Sequence, residues 1–161
     1  MRTLLTTLLL QLIICSFTMG QSSYSQFFDK NKNIKGVESF TISTSLFRFF
    51  LDSDEQELKD MLKKLDEVSF LIADAASPTL AIELEKTLPE KEYKELMVIK
   101  NGTSTVRFKA KEKSNKVDEV VMIVTEPNSL VVMCIKCNIT FNEAKALASS
   151  VNVNQTVSFK Q

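Results

Sequence analysis

The chain has 161 residues, with 20 Lys or Arg balanced by 20 Asp or Glu, and it contains neither His nor Trp. Hydrophobic residues at 44% and charged residues at 25% fit one folded domain and exclude disorder, collagen-like sequence and low-complexity polymer. Without His there is no Ser-His or Cys-His nucleophile, no His-ligated zinc and no His switch at neutral pH. Zero net charge argues against nucleic acid, whose binding needs an excess of Lys and Arg.

Arg2 gives a positive start, Leu4 to Phe17 form an apolar stretch, and Thr18-Met19-Gly20 place small residues before Gln21. This pattern predicts a secretory signal peptide over residues 1–20, cut after Gly20. The stretch is too short and interrupted for a transmembrane helix, which wants about 20 mostly apolar residues. Cys15 is a candidate for lipid attachment, although Ile14 stands where lipoprotein signals want a small residue. Residues 21–36 are polar around a Phe27-Phe28 pair and read as a flexible leader.

A single domain is expected over 37–151, followed by a polar tail at 152–161. Val37 to Ser43 alternates as a strand, and Thr44 to Leu51 concentrates Leu46, Phe47, Phe49 and Phe50 as a short buried helix. Leu58, Met61, Leu62 and Leu65 form one helical stripe, opened by a Ser53–Gln56 capping box. Glu67 to Ala75 reads as a strand. Ser77-Pro78 then opens a helix with Leu80, Leu84 and Leu88 on one face, closed by Pro89.

From Tyr93 the period becomes two, giving strands at Glu95–Lys100, Thr103–Lys111, Glu119–Thr125 and Leu130–Ile139. Asn101-Gly102 predicts a two-residue hairpin turn that sets Lys100 opposite Thr103 and Met97 opposite Val106, with Tyr93 near Ala110. Thr140 and Glu143 form a capping box for a last helix carrying Phe141, Ala144, Leu147 and Ala148. The predicted fold is α+β: an antiparallel four-strand meander extended by one or two N-terminal strands, with helices packed on one face. Val120 to Val124 are apolar throughout, so that strand should be central and buried on both faces. The second face then needs the Phe-rich segment or another copy of the chain.

Cys134 and Cys137 form a C-x-x-C, a candidate redox or disulfide pair. Yet they fall in a strand, where three steps separate their Cα atoms by about 10 Å. A disulfide tolerates about 7 Å, and the two thiols would face opposite ways. Arg107, Lys109, Lys111 and Lys113 alternate along another strand as a basic row. It is either a candidate surface for an anion or an acidic partner, or a solvated face that discourages edge pairing. No catalytic set, metal site or cofactor motif is recognisable. Asn101, Asn138 and Asn154 open glycosylation sequons that matter only in a eukaryotic source.

The pieces VESFTISTSLFRFF, LKDMLKKLDEVSFLI, EYKELMVIKNGTSTVRFKAKE and DEVVMIVTEPNSLVVMCIKCNIT together resemble domain-of-unknown-function family 4252, from about Val37 to Leu147. That family's Tyr, Leu-Met pair, turn and basic strand correspond to Tyr93, Leu96-Met97, Asn101-Gly102 and Arg107; Cys137 stands where the family usually has Gly. The resemblance implies an exported protein of Bacteroidota, periplasmic or at the outer membrane, with no assigned activity and no site residues to carry over. The expected role is a non-enzymatic binding or structural module with an unknown envelope protein or glycan as partner. A homodimer through the sheet is a further option. The alternatives are a secreted hydrolase working without His, or a thiol-redox protein using Cys134 and Cys137. A cleft with a buried titratable cluster would favour an enzyme, and a flat apolar patch would favour binding.

Overall fold

Residues 21–43, 45–46, 60, 63–74 and 77–150 are described by the computed structural model. In chain order the elements are α1 (Ser23–Asn31), β1 (Val37–Ser43), β2 (Leu65–Ala73), α2 (Ser77–Thr87), β3 (Tyr93–Asn101), β4 (Ser104–Lys113), β5 (Lys116–Glu126), β6 (Ser129–Ile139) and α3 (Phe141–Ser150). The expected signal segment with Cys15, most of the Phe-rich helix, the Leu58–Leu62 stripe with its cap and the tail lie outside the described residues.

The strands form one antiparallel six-stranded sheet in the order β1-β2-β6-β5-β4-β3. With its helices this is an α+β fold. Two-residue turns join the later strands. Ser114 and Asn115, at φ 52° and 63°, make the left-handed pair that a tight hairpin between Lys113 and Lys116 wants. Pro127-Asn128 turns between Glu126 and Ser129. β5 lies between β4 and β6, and Val120 to Val124 are buried at every position.

Both faces of the sheet are covered by helices, which corrects the one-face expectation. α1 and α2 cover one side, packing Tyr24, Phe27, Leu80, Leu84 and Leu88 against Leu71, Val121, Ile123, Val132 and Cys134. α3 covers the other, setting Ala144 and Ala148 near Val120, Met122, Ile135 and Phe108. The physical reason is β5 itself: alternate residues of an all-apolar strand face opposite sides, and each side needs its own cover.

The leader reading is also corrected. Residues 23–31 form a helix capped by Ser22, whose Oγ accepts from the Ser25 N–H at 3.1 Å. Tyr24, Phe27 and Asn31 share its buried face at helical spacing. Asn31 is tolerated there because Nδ2 donates to the Phe27 carbonyl at 2.9 Å and to Glu83 Oε1 at 3.2 Å.

Leu65 opens β2 rather than closing the Leu58 stripe, and pairs opposite Cys137. The β3–β4 turn also differs from expectation. Asn101 pairs with Ser104, so Gly102-Thr103 is the turn, and Gly102 at φ 60° takes its left-handed position. Ile99 then faces Val106 and Met97 faces Phe108, which gathers these side chains into one apolar cluster. A bulge between Glu95 and Met97 sends Tyr93 to the opposite face, opposite Lys111 instead of near Ala110.

The expected capping box at α3 is present. Thr140 donates N–H and Oγ1 to Glu143 Oε2 at 2.7 and 2.9 Å, and the Glu143 N–H donates back to Thr140 Oγ1 at 3.3 Å. Lys64 ties the same carboxylate to the start of β2 at 2.5 Å.

Two outcomes test this packing. Phe27→Ala, at 2% exposure, should cost about 3–5 kcal/mol in urea unfolding; an unaltered midpoint would return 21–36 to a mobile leader. The Lys64 ammonium and the Thr140 donors hold the Glu143 carboxyl down at about 2. Its contribution is therefore present above the unfolded value of about 4.3 and is lost as pH falls through the folded value. The stability gap between wild type and Glu143→Gln should narrow between pH 5 and pH 2.

Candidate functional site

Strand alternation carries the face under α1 and α2 from apolar at one end of the sheet to charged at the other. Inward residues run Leu71, Ser69, Glu67 on β2 and Val132, Cys134, Lys136 on β6. They run Ile123, Val121, Glu119 on β5 and Arg107, Lys109, Lys111 on β4. The register sets Glu67 opposite Lys136, Lys136 opposite Glu119, Glu119 opposite Lys111, and Lys111 opposite Tyr93. Neighbouring strands lie about 4.8 Å apart, so this row is a ladder of alternating charge across four strands, ended by Tyr93 on the fifth.

Irregularities in pairing gather at the same end. The ladder shifts register between Leu65 and Glu67, between Glu95 and Met97, between Lys111 and Glu112, and between Val117 and Glu119. Bulges break pairing and re-aim side chains, and they are frequent beside functional sites.

Hydrogen bonds tie this row to α1. Tyr93 Oη donates to Glu119 Oε2 at 2.7 Å, and the Tyr24 N–H donates to Tyr93 Oη at 3.3 Å. Ser69 Oγ donates to Tyr24 Oη at 3.2 Å, and Lys136 pairs with Glu67 at 2.8 Å. Burial pushes both phenols above the ordinary tyrosine range, and at Tyr93 the Glu119 carboxylate adds to it. The hydrogen bond with Glu67 holds the Lys136 ammonium above its usual range.

Two cavities open under the start of α1. One, of about 310 Å³, lies between α1 and the β1–β2–β6 side, lined by Tyr24, Phe28, Thr41, Glu67 and Ser69. The other, of about 450 Å³, reaches β4 and β5 and is lined by Ser22, Lys111, Lys113, Asp118 and Glu119. Gln21, Ser25 and Lys136 line both. Glu119 is only 5% exposed although it lines the second cavity. Asp118 also lines it, and its Oδ1 is buried without a hydrogen-bond partner among the described residues. No cluster of three or more Cys, Asp or Glu among those residues is placed to hold a metal ion. No helix among them is long and apolar enough to cross a membrane.

Residues 27–147, from within α1 through most of α3, match the family described as Domain of unknown function (DUF4252). The chain belongs to that family. No curated protein and no solved structure matches it. The DUF4252 match begins ten residues before Val37, so it takes in the second half of α1, which packs beside the cleft.

Within this DUF4252 domain the basic row is divided. Arg107 and Lys109 both bind Glu85 of α2, at 2.8 and 3.1 Å, and the buried Lys109 also donates to the Leu88 carbonyl at 3.2 Å. These two fasten α2 to the sheet, with Lys109 near the negative end of the helix. Lys111 lies over the Tyr93 ring at 5.7 Å, and Lys113 lines the cleft.

Cys134 and Cys137 are free thiols in strand β6, packed in separate clusters on opposite faces. Burial pushes the Cys134 thiol well up and the Cys137 thiol up to about 12. Neither is placed to attack or to bridge the other.

Sequence reasoning missed Glu67, Ser69, Asp118, Glu119 and Lys136, and it placed Tyr93 on the wrong face. One signal was available: Glu119 shares inward parity with Val121 and Ile123, and Lys136 shares it with Val132 and Cys134. A charge at a core-facing position is informative. Tyr93→Phe removes the donor to a buried carboxylate and should cost about 1–3 kcal/mol. Paired with Glu119→Gln in a double-mutant cycle read by urea unfolding, the two changes should be clearly non-additive; additive effects would mean the bond contributes nothing.

Proposed function

We propose that this protein is an exported component of the bacterial envelope, periplasmic or held at the outer membrane. In this reading it is a non-enzymatic binding module whose ligand site is the cleft under α1. The observation that carries the site is Glu119, a carboxylate buried to 5% exposure that nonetheless lines a cavity. Burying a charge is costly unless it is matched, and Tyr93 matches only one of its oxygens. The export reading rests on the pattern of Arg2, Leu4 to Phe17 and Thr18-Met19-Gly20.

A hydrolase is the second reading, favoured by the same buried carboxylate beside Asp118. Binding is preferred because Tyr24, Tyr93 and Lys136 are held away from proton transfer near neutral pH. Both phenols are raised, and Lys136 is held as a cation by Glu67.

Intact mass of the protein taken from its native envelope fraction tests the export reading. A chain of Gln21–Gln161 with a mass unchanged by reductant is expected. A cytoplasmic chain that retains residues 1–20 would overturn export. A two-dalton gain on reduction would revive the thiol-redox alternative.

A further inference from the structure

We infer that the cleft under α1 takes an uncharged carbohydrate, whose hydroxyl groups bridge the ladder of alternating charge. This rests on the cleft being a ligand site, as proposed above, and it names the ligand class. The order of charges discriminates between ligand classes. Glu67, Lys136, Glu119 and Lys111 stand side by side on successive strands. A phosphate laid along this row meets a carboxylate at every second position, and a polyamine meets an ammonium at every second position. A hydroxyl meets neither penalty, because it donates to a carboxylate and accepts from an ammonium.

Spare bonding capacity points the same way. Glu119 has one oxygen that takes no hydrogen bond among the described residues, and Asp118 Oδ1 takes none. Both need donors, while the Lys136 ammonium has three N–H groups and uses one on Glu67. The uncharged lining is of the same character. Gln21, Ser22 and Ser25 over the cleft, with Thr41 and Ser69 in its floor, each donate and accept. The half-buried Phe28 adds ring surface on the side nearest β1, where the apolar C–H face of a sugar ring can lie. Together the two adjoining cavities, at about 310 and 450 Å³, fall within the range of sites for small ligands.

The test uses the full chain, labelled with ¹⁵N and purified as its host processes it. Glucose, galactose, mannose, N-acetylglucosamine and their disaccharides are titrated while backbone amide signals are followed. Glycylglycine, inorganic phosphate and spermidine serve as charged probes. Saturable shifts at Ser25, at Asp118 and Glu119, and at Lys136, produced by a saccharide and not by the charged probes, are expected. Asp118→Asn and Ser25→Ala should each weaken that affinity by about tenfold while amides outside the cleft keep their positions. Ser25→Ala keeps the backbone N–H that Ser22 Oγ caps, so it remains readable if the Asp118 variant fails to fold.

Shifts from phosphate, spermidine or glycylglycine with none from the saccharides would overturn the carbohydrate inference while leaving the cleft a ligand site. Silence from every probe would overturn both. Cleavage of a disaccharide during the titration would support the ligand class and replace the non-enzymatic reading with the hydrolase.

Discussion

Val120 to Val124 send apolar side chains to both faces of the sheet, and all five are buried. Neither face of β5 can then be left to water, and the rest of the architecture answers that demand. α1 and α2 lie against Val121 and Ile123, while α3 lies against Val120 and Met122. At about 25 cal/mol per Å² of apolar surface removed from water, a strand covered on both sides contributes more per residue than any edge strand. The same alternation sets the charge at the end of the strand. With Val121 facing α1 and α2, Glu119 falls on that side as well, and its charge must be met there. Tyr93, brought across by a bulge, meets it.

The later strands and their turns were readable because alternation, Pro127-Asn128 and the Thr140–Glu143 box are local signals. α1 was not, because its buried face mixes Tyr24 and Phe27 with Asn31, and Asn31 is tolerable only through Phe27 and Glu83. Asn101-Gly102 marked a hairpin correctly but not its centre. Moving the turn by one residue slides the pairing by two, and packing of Ile99, Val106, Met97 and Phe108 decides between the two registers. The ladder was hidden for a stronger reason. Its members stand far apart in sequence at the ends of strands, and four registers with their bulges must be known before they line up.

Such a row is a poor source of stability, since desolvating charges offsets most of what their attraction returns. In the binding role proposed above, its value lies in specificity. Fixed charges of alternating sign discriminate by arrangement, rejecting a ligand of uniform charge that an isolated lysine would accept. Arg107 and Lys109 show the contrasting use of charge within the same strand. Both are committed to Glu85 and hold α2 in place, which leaves the far end of β4 to face the cleft.

The strand order also governs the sequence in which the fold can be completed. β3 to β6 are joined by tight turns, so their pairings close short loops and form quickly. β2 has no such option on its inner edge: its partner there is β6, and Val68 must wait for Ile135 to be synthesised. The earliest strands to emerge are therefore the last to be enclosed, and until then β2 offers an unpaired apolar edge to other chains. Crowding at this stage falls on the N-terminal half, which is also the half that carries the roof of the cleft.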